Sequence, residues 1–93
     1  MSARIFRYEV PVDDRWHWIE LQGDPLSVDC RFLATVEFWA MHGDSAESRR
    51  RAFIVVGTGH ELPFLKDGES WRHWGTAVAP GGALVWHLLE AVS

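Results

Sequence analysis

Residues 6–12, Phe6-Arg7-Tyr8-Glu9-Val10-Pro11-Val12 (FRYEVPV), alternate with a period of two. Successive side chains of a strand point to opposite faces, so Phe6, Tyr8, Val10 and Val12 share one face and Arg7, Glu9 and Pro11 the other. The same rhythm continues along the chain. Asp13-Asp14 reads as a turn, and Arg15 to Leu21 sets Trp16 and Trp18 against His17, Ile19 and Leu21. Gln22-Gly23-Asp24-Pro25 has the chemistry of a loop. Leu26, Val28, Cys30 and Phe32 mark a third strand. Ala34, Val36, Phe38 and Ala40 then alternate with Thr35, Glu37 and Trp39 in a fourth. Arg31-Phe32-Leu33 lies between these two as a bulge or tight corner.

The second half follows the same logic. His42 to Arg50 is polar and holds at most one helical turn, over residues 45–49, too short to stand alone. Arg51 to Val56 is apolar enough for a central strand. Glu61 to Ser70 is a loop through Pro63 and Asp67-Gly68, with Leu62, Phe64 and Leu65 expected to tuck inward. Trp71 to Val78 and Ala83 to Leu89 form two strands joined by Ala79-Pro80-Gly81-Gly82, whose glycines allow the positive φ a hairpin needs. The closing strand is almost wholly apolar and is expected in the middle of a sheet. Six to seven short strands with little or no helix predict an all-β fold, a small antiparallel β-sandwich or partly open barrel spanning residues 1–93 as one domain.

Composition narrows the possible roles. The chain is 47% hydrophobic with six tryptophans. Large aromatic side chains each bury roughly 150–250 Å², so a core can form without a disulfide or metal staple. Cys30 is the only cysteine, which precludes an intrachain disulfide and fits a reducing compartment. Its place in an alternating run reads as a small core hydrophobe. No basic-then-apolar leader opens the sequence and no apolar run approaches about 18 residues, so a soluble, cytoplasmic protein without membrane partners is expected. Nine basic against thirteen acidic residues give a formal charge of −4. Displacing counterions from nucleic acid needs the opposite sign, so nucleic acid is not an expected partner. Arg49-Arg50-Arg51 could grip phosphate, but neighbouring acids favour a solvated loop end leading into a strand.

Gly57-Thr58-Gly59-His60 is the main chemical candidate. Glycine-rich loops after a strand bind phosphate when backbone N–H groups converge. This one lacks the spacing and lysine of a nucleotide-hydrolysing loop, and Pro63 discourages a helix behind it. The plainer reading is a turn whose glycines allow positive φ, with His60 bonded across it. Five histidines invite a metal reading. No two have the spacing that preorganises ligands within one element. His60, His73 and His87 could meet only across strands. Pairing Val78 with Ala83 sets Trp74 opposite His87 and sends His73 to the other face; a one-residue shift brings His73 onto the same face. No metal and no cofactor are therefore expected. His60-Glu61, or Asp13-Asp14 with a histidine, offers no more than any acidic domain would, so catalysis is not expected either.

Read as a unit, the second half carries a resemblance. Phe53 to Pro63 (FIVVGTGHELP), then Trp74-Gly75-Thr76-Ala77, then Gly82 to Glu90 (GALVWHLLE) resemble a family of small uncharacterised proteins of tailed bacteriophages and of bacteria such as actinobacteria. Their elements are a G-T-G-H-x-L step, a G-T strand and an A-L-V-W/F-H closing strand, after an opening strand like residues 5–14. The likeness covers nearly the whole chain and is weakest from Asp29 to Ala52. It implies a phage or prophage origin and a stand-alone domain, and it brings no activity or site residue with it. Trp16 and Trp18 depart from the plainer sequence expected at their place.

These observations favour a non-enzymatic, phage-encoded accessory protein that binds a host or phage protein in the bacterial cytoplasm. Trp16, Trp18 and Trp39 are its candidate interface, and a homodimer could use the same aromatic surface. The alternative is a binding protein for a phosphorylated small molecule or signalling nucleotide, using Gly57, Thr58, Gly59, His60 and His87 with a nearby arginine.

Overall fold

A computed structural model describes residues 2–44 and 47–93. The helical turn considered over residues 45–49 falls partly outside them, and Arg49 already opens a strand. Seven strands follow one another: β1 (Ala3–Pro11), β2 (His17–Leu21), β3 (Ser27–Phe32), β4 (Thr35–Gly43), β5 (Arg49–Gly57), β6 (Ser70–Val78) and β7 (Val85–Val92). They form two antiparallel sheets, β1-β4-β3 and β2-β5-β7-β6. There is no helix among the described residues, and none long and apolar enough to cross a membrane. The all-β expectation holds, in its sandwich form.

The alternation of β1 and β4 explains how the sheets meet. Val10, Val36, Phe38 and Ala40 face inward with no exposure, and Leu21, Phe53, Val55 and Leu88 answer from the other sheet. The ring of Phe38 stacks on Tyr8 at 5.2 Å within its own sheet and meets Phe53 across the gap at 5.1 Å. A smallest extent of 16 Å suits two layers packed about 10 Å apart. As expected of apolar strands, β5 and β7 take the two central positions of the larger sheet.

Local chemistry sets the connections. Asp14 adopts φ 60° in the turn expected at Asp13-Asp14. Phe32 pairs with Thr35 around Leu33-Ala34, and the register shifts between Asp29 and Phe32, so β3 has both the bulge and the tight corner. Cys30 is buried, its thiol donates to the Phe32 carbonyl at 3.1 Å, and burial pushes its pKa up, away from reactivity.

Three expectations need correction. The β6–β7 hairpin pairs Val78 with Val85, because Ala79 to Leu84 closes as a longer loop with Gly81 and Gly82 at φ 91° and 79°. Arg49-Arg50-Arg51 is the start of β5, and Arg51 is buried within the sandwich. Leu62 and Phe64 lie exposed, and Leu65 is half-buried, because their loop runs over the outside of the larger sheet, which no further layer among the described residues covers.

Candidate functional site

The outer faces of the two sheets differ in character. On the smaller sheet Glu37 has no solvent exposure, although its alternation points it away from the core. Arg31 covers it, with Nε donating to Oε1 at 2.6 Å and Nη2 to Oε2 at 2.8 Å, and Arg7 adds a third bond at 3.0 Å. These bonds, the Arg31 pair first, hold the Glu37 pKa below its ordinary 4.5 against the opposing effect of burial. A depressed folded pKa adds stability above the ordinary value and loses it as pH falls through the folded one. The melting-temperature gap between wild type and Glu37→Gln should therefore be widest at neutral pH and close progressively below 4.5, as a thermal series across acid pH would record.

The larger sheet instead presents histidine, threonine and aromatic groups. Here the Gly57–His60 turn has a defined geometry. The His60 N–H donates to the Gly57 carbonyl at 3.1 Å, and Gly59, in the third position, takes φ 85°. That is the requirement of a type II turn. Gly57 is needed for space instead: a Cβ there would sit 3.0 Å from the His60 ring and 3.1 Å from Trp86. Of the two glycines expected to allow positive φ, only Gly59 uses it.

Thr58 leaves this turn to meet His87 of β7, with Oγ1 and Nε2 2.7 Å apart. The other ring nitrogen of His87 lies 3.0 Å from Thr76 Oγ1 and 3.1 Å from His73 Nε2, both on β6. Strict alternation would place His73 and Thr76 on opposite faces. Trp74 prevents that, because the register shifts between His73 and Gly75 and sets His73 opposite Leu89. The bulge sends the Trp74 ring inward, where its Nε1–H donates to Glu90 at 2.9 Å.

His60, His73 and His87 all line one open hollow of about 390 Å³, with Val56, Leu62, Trp71 and Leu89 as its apolar wall. His73 and His87 come together, and His60 stands at the rim with Gly57, Thr58 and Gly59. No arginine or lysine is among the described residues lining this hollow, so a phosphate there would meet no permanent positive charge. Among the described residues no three His, Cys, Asp or Glu side chains are placed to hold a metal ion.

The tryptophans divide between surfaces. Trp16 packs over Ile54, Val56 and Leu89 on the outer side of the larger sheet. Trp18 is exposed on the same side beneath the Arg50 guanidinium. Trp39 belongs to β4 of the other sheet, so it does not join them. Sequence reasoning missed Phe64 and Trp71. Phe64 is 99% exposed and borders a second hollow of about 400 Å³ lined by Trp16, Trp18, Ala52 and Leu65. The Trp71 indole N–H donates to the Pro63 carbonyl at 3.1 Å and ties down the loop that carries Phe64. A loop unusually rich in large apolar residues was the available signal.

No curated protein and no solved structure matches the chain. A family described as "Domain of unknown function (DUF7352)" matches it over residues 1–93. The match takes in every strand and both hollows, and the chain belongs to that family.

Proposed function

We propose that this is a non-enzymatic binding protein, encoded by a phage or prophage, that occupies a host or phage protein in the bacterial cytoplasm. The contact surface is the outer face of the β2-β5-β7-β6 sheet. The observation that carries this reading is Phe64. Burying a Phe side chain gains roughly 1.5–3 kcal/mol, yet this one is held in solvent at 99% exposure. Its loop is an ordered support. Lys66 and Glu69 bond reciprocally, with the Lys66 N–H on the Glu69 carboxylate at 3.0 Å and the Glu69 N–H on the Lys66 carbonyl at 3.1 Å. Gly68 takes φ 85° between them. An exposed aromatic on a hydrogen-bonded loop beside a tryptophan-lined hollow is the arrangement of an interface anchor, since the backbone that carries it is already held in place. The occupant is a partner protein offering an apolar side chain to the Trp16–Trp18–Phe64 hollow.

The test compares wild type with Trp18→Ala/Phe64→Ser, two exposed positions whose replacement should leave the melting temperature nearly unchanged. Wild type should retain one host or phage protein at stoichiometric level from infected-cell lysate, and the double variant should lose it. Equal recovery by both, or none by either, refutes the reading. Sedimentation of purified protein provides the other arm: a wild-type dimer that the double variant turns into monomer would assign the face to a second copy instead.

A further inference from the structure

The geometry points to a zinc-type transition-metal site formed by His73 Nε2, His87 Nδ1 and the Thr76 hydroxyl, on the outer face of the larger sheet. The three donor atoms form a nearly equilateral triangle. Its sides are 3.1 Å between the histidines, 3.0 Å from Thr76 to His87 and 3.1 Å from Thr76 to His73. Zinc–nitrogen bonds of about 2.0–2.1 Å set neighbouring donors on a tetrahedral ion about 3.3 Å apart. An ion capping the observed triangle at that bond length would stand about 1 Å above its plane. The three donors therefore stand close to the spacing a tetrahedral ion needs.

The surroundings fit the same chemistry. Metal-bound histidines hold their second nitrogen on an outer partner, which fixes the ring and the tautomer. Thr58 Oγ1, 2.7 Å from His87 Nε2, is placed to be that partner. With the proton on Nε2, the Nδ1 lone pair turns toward His73 and Thr76. The Thr58 N–H is itself anchored on the Val85 carbonyl at 3.1 Å. The G-T-G-H step thereby acquires a role for its threonine: it orients a ligand from outside the metal shell. Two imidazoles, with no carboxylate among the described residues lining the hollow, suit zinc and its copper-side neighbours and not magnesium or calcium, and the Thr76 hydroxyl adds only a weak third donor. The hollow is open to solvent, so water can complete the coordination. The competing arrangement is a hydrogen-bonded cluster in which the same three atoms share protons and hold no metal.

Calorimetric titration of the untagged protein with Zn²⁺ separates the two. One zinc per chain is expected, with a rise in melting temperature. Long-range proton–nitrogen NMR should report zinc on Nε2 of His73 and Nδ1 of His87, with His17 and His42 unmoved. His73 is exposed, so His73→Gln should fold normally and bind at least tenfold more weakly. Thr58→Val should weaken binding by about 10-fold or more through the loosened His87 ring, while Mg²⁺ produces no heat. Absence of zinc uptake by wild type, unchanged affinity in a folded His73→Gln, or zinc shifts at His17 or His42 in place of this pair would overturn the site. None of these outcomes depends on the protein-binding reading.

Discussion

Glu90→Leu should lower the unfolding free energy by about 3–5 kcal/mol, the usual cost of breaking a buried ion pair from one side. Glu90 is 4% exposed on β7 and Arg51 is 7% exposed on β5. The pair is bidentate, with Arg51 Nε on Oε2 at 2.7 Å and Nη2 on Oε1 at 2.8 Å. Oε1 also accepts the Trp74 indole N–H, so the carboxylate ties the bulged strand to its neighbours. Leucine would leave the guanidinium with Asp24 at 3.0 Å and the Gly23 carbonyl at 3.3 Å. Asp24 is 60% exposed at its side chain and replaces little of the lost interaction. The guanidinium cannot escape by deprotonating, because arginine stays charged even without the Glu90 bonds that raise its pKa in the native state. Arg51→Leu should cost a similar amount by stranding the carboxylate. Removing both charges in Arg51→Leu/Glu90→Leu should be milder than either single change, because no unpaired ion remains. Total stabilities of domains are only about 5–15 kcal/mol, so either single variant should sit near its unfolding transition. Urea denaturation of the full cycle measures this coupling, and costs that simply add would show that the pairing itself contributes nothing.

The same residues show where sequence reading succeeds and where it stops. Val10, Val36, Phe38 and Ala40 were legible because alternation with a period of two is enforced by the pleat itself. The central places of β5 and β7 followed from their apolar runs. Register was not legible, because it depends on loop length and bulges. Trp74 hides its bulge, since a tryptophan is acceptable on either face, and with it was hidden the meeting of His73 with His87. Glu37 alternates outward in sequence and still has no exposure. Its burial is made by arginines from the strands on either side, a cross-strand effect invisible within β4. Arg51 looked like part of a solvated basic cluster because its partner lies 39 residues away. Phe64 was misplaced for the opposite reason. An apolar loop residue is expected to tuck inward, but the outer side of this sheet offers it no covering layer.

Gly75→Ala should destabilise the sandwich by about 1–3 kcal/mol, the typical cost of overpacking a filled interior. Gly75 follows the Trp74 bulge on β6 and faces β3 of the other sheet. A Cβ there would stand 2.6 Å from Val28 Cγ2 and 2.9 Å from Val28 Cβ. The second contact decides the outcome. A methyl group can rotate away, but Val28 Cβ is fixed to its own backbone, so relief requires β3 and β6 to move apart. Both are edge strands of their sheets, and their packing closes this side of the sandwich. Gly75→Val should cost more, since its branches extend further into the same place. Val28→Ala removes Cγ2 but keeps Cβ, so in the Gly75→Ala background it should recover only part of the loss. Val28→Gly/Gly75→Ala, which removes both contacts, should recover more of the steric penalty while adding the backbone cost of a glycine in a strand. Chemical denaturation of the single and double variants reads this directly. An alanine at 75 that unfolds at the wild-type midpoint would mean that β3 and β6 are not in the close contact that the Gly75–Val28 distances describe.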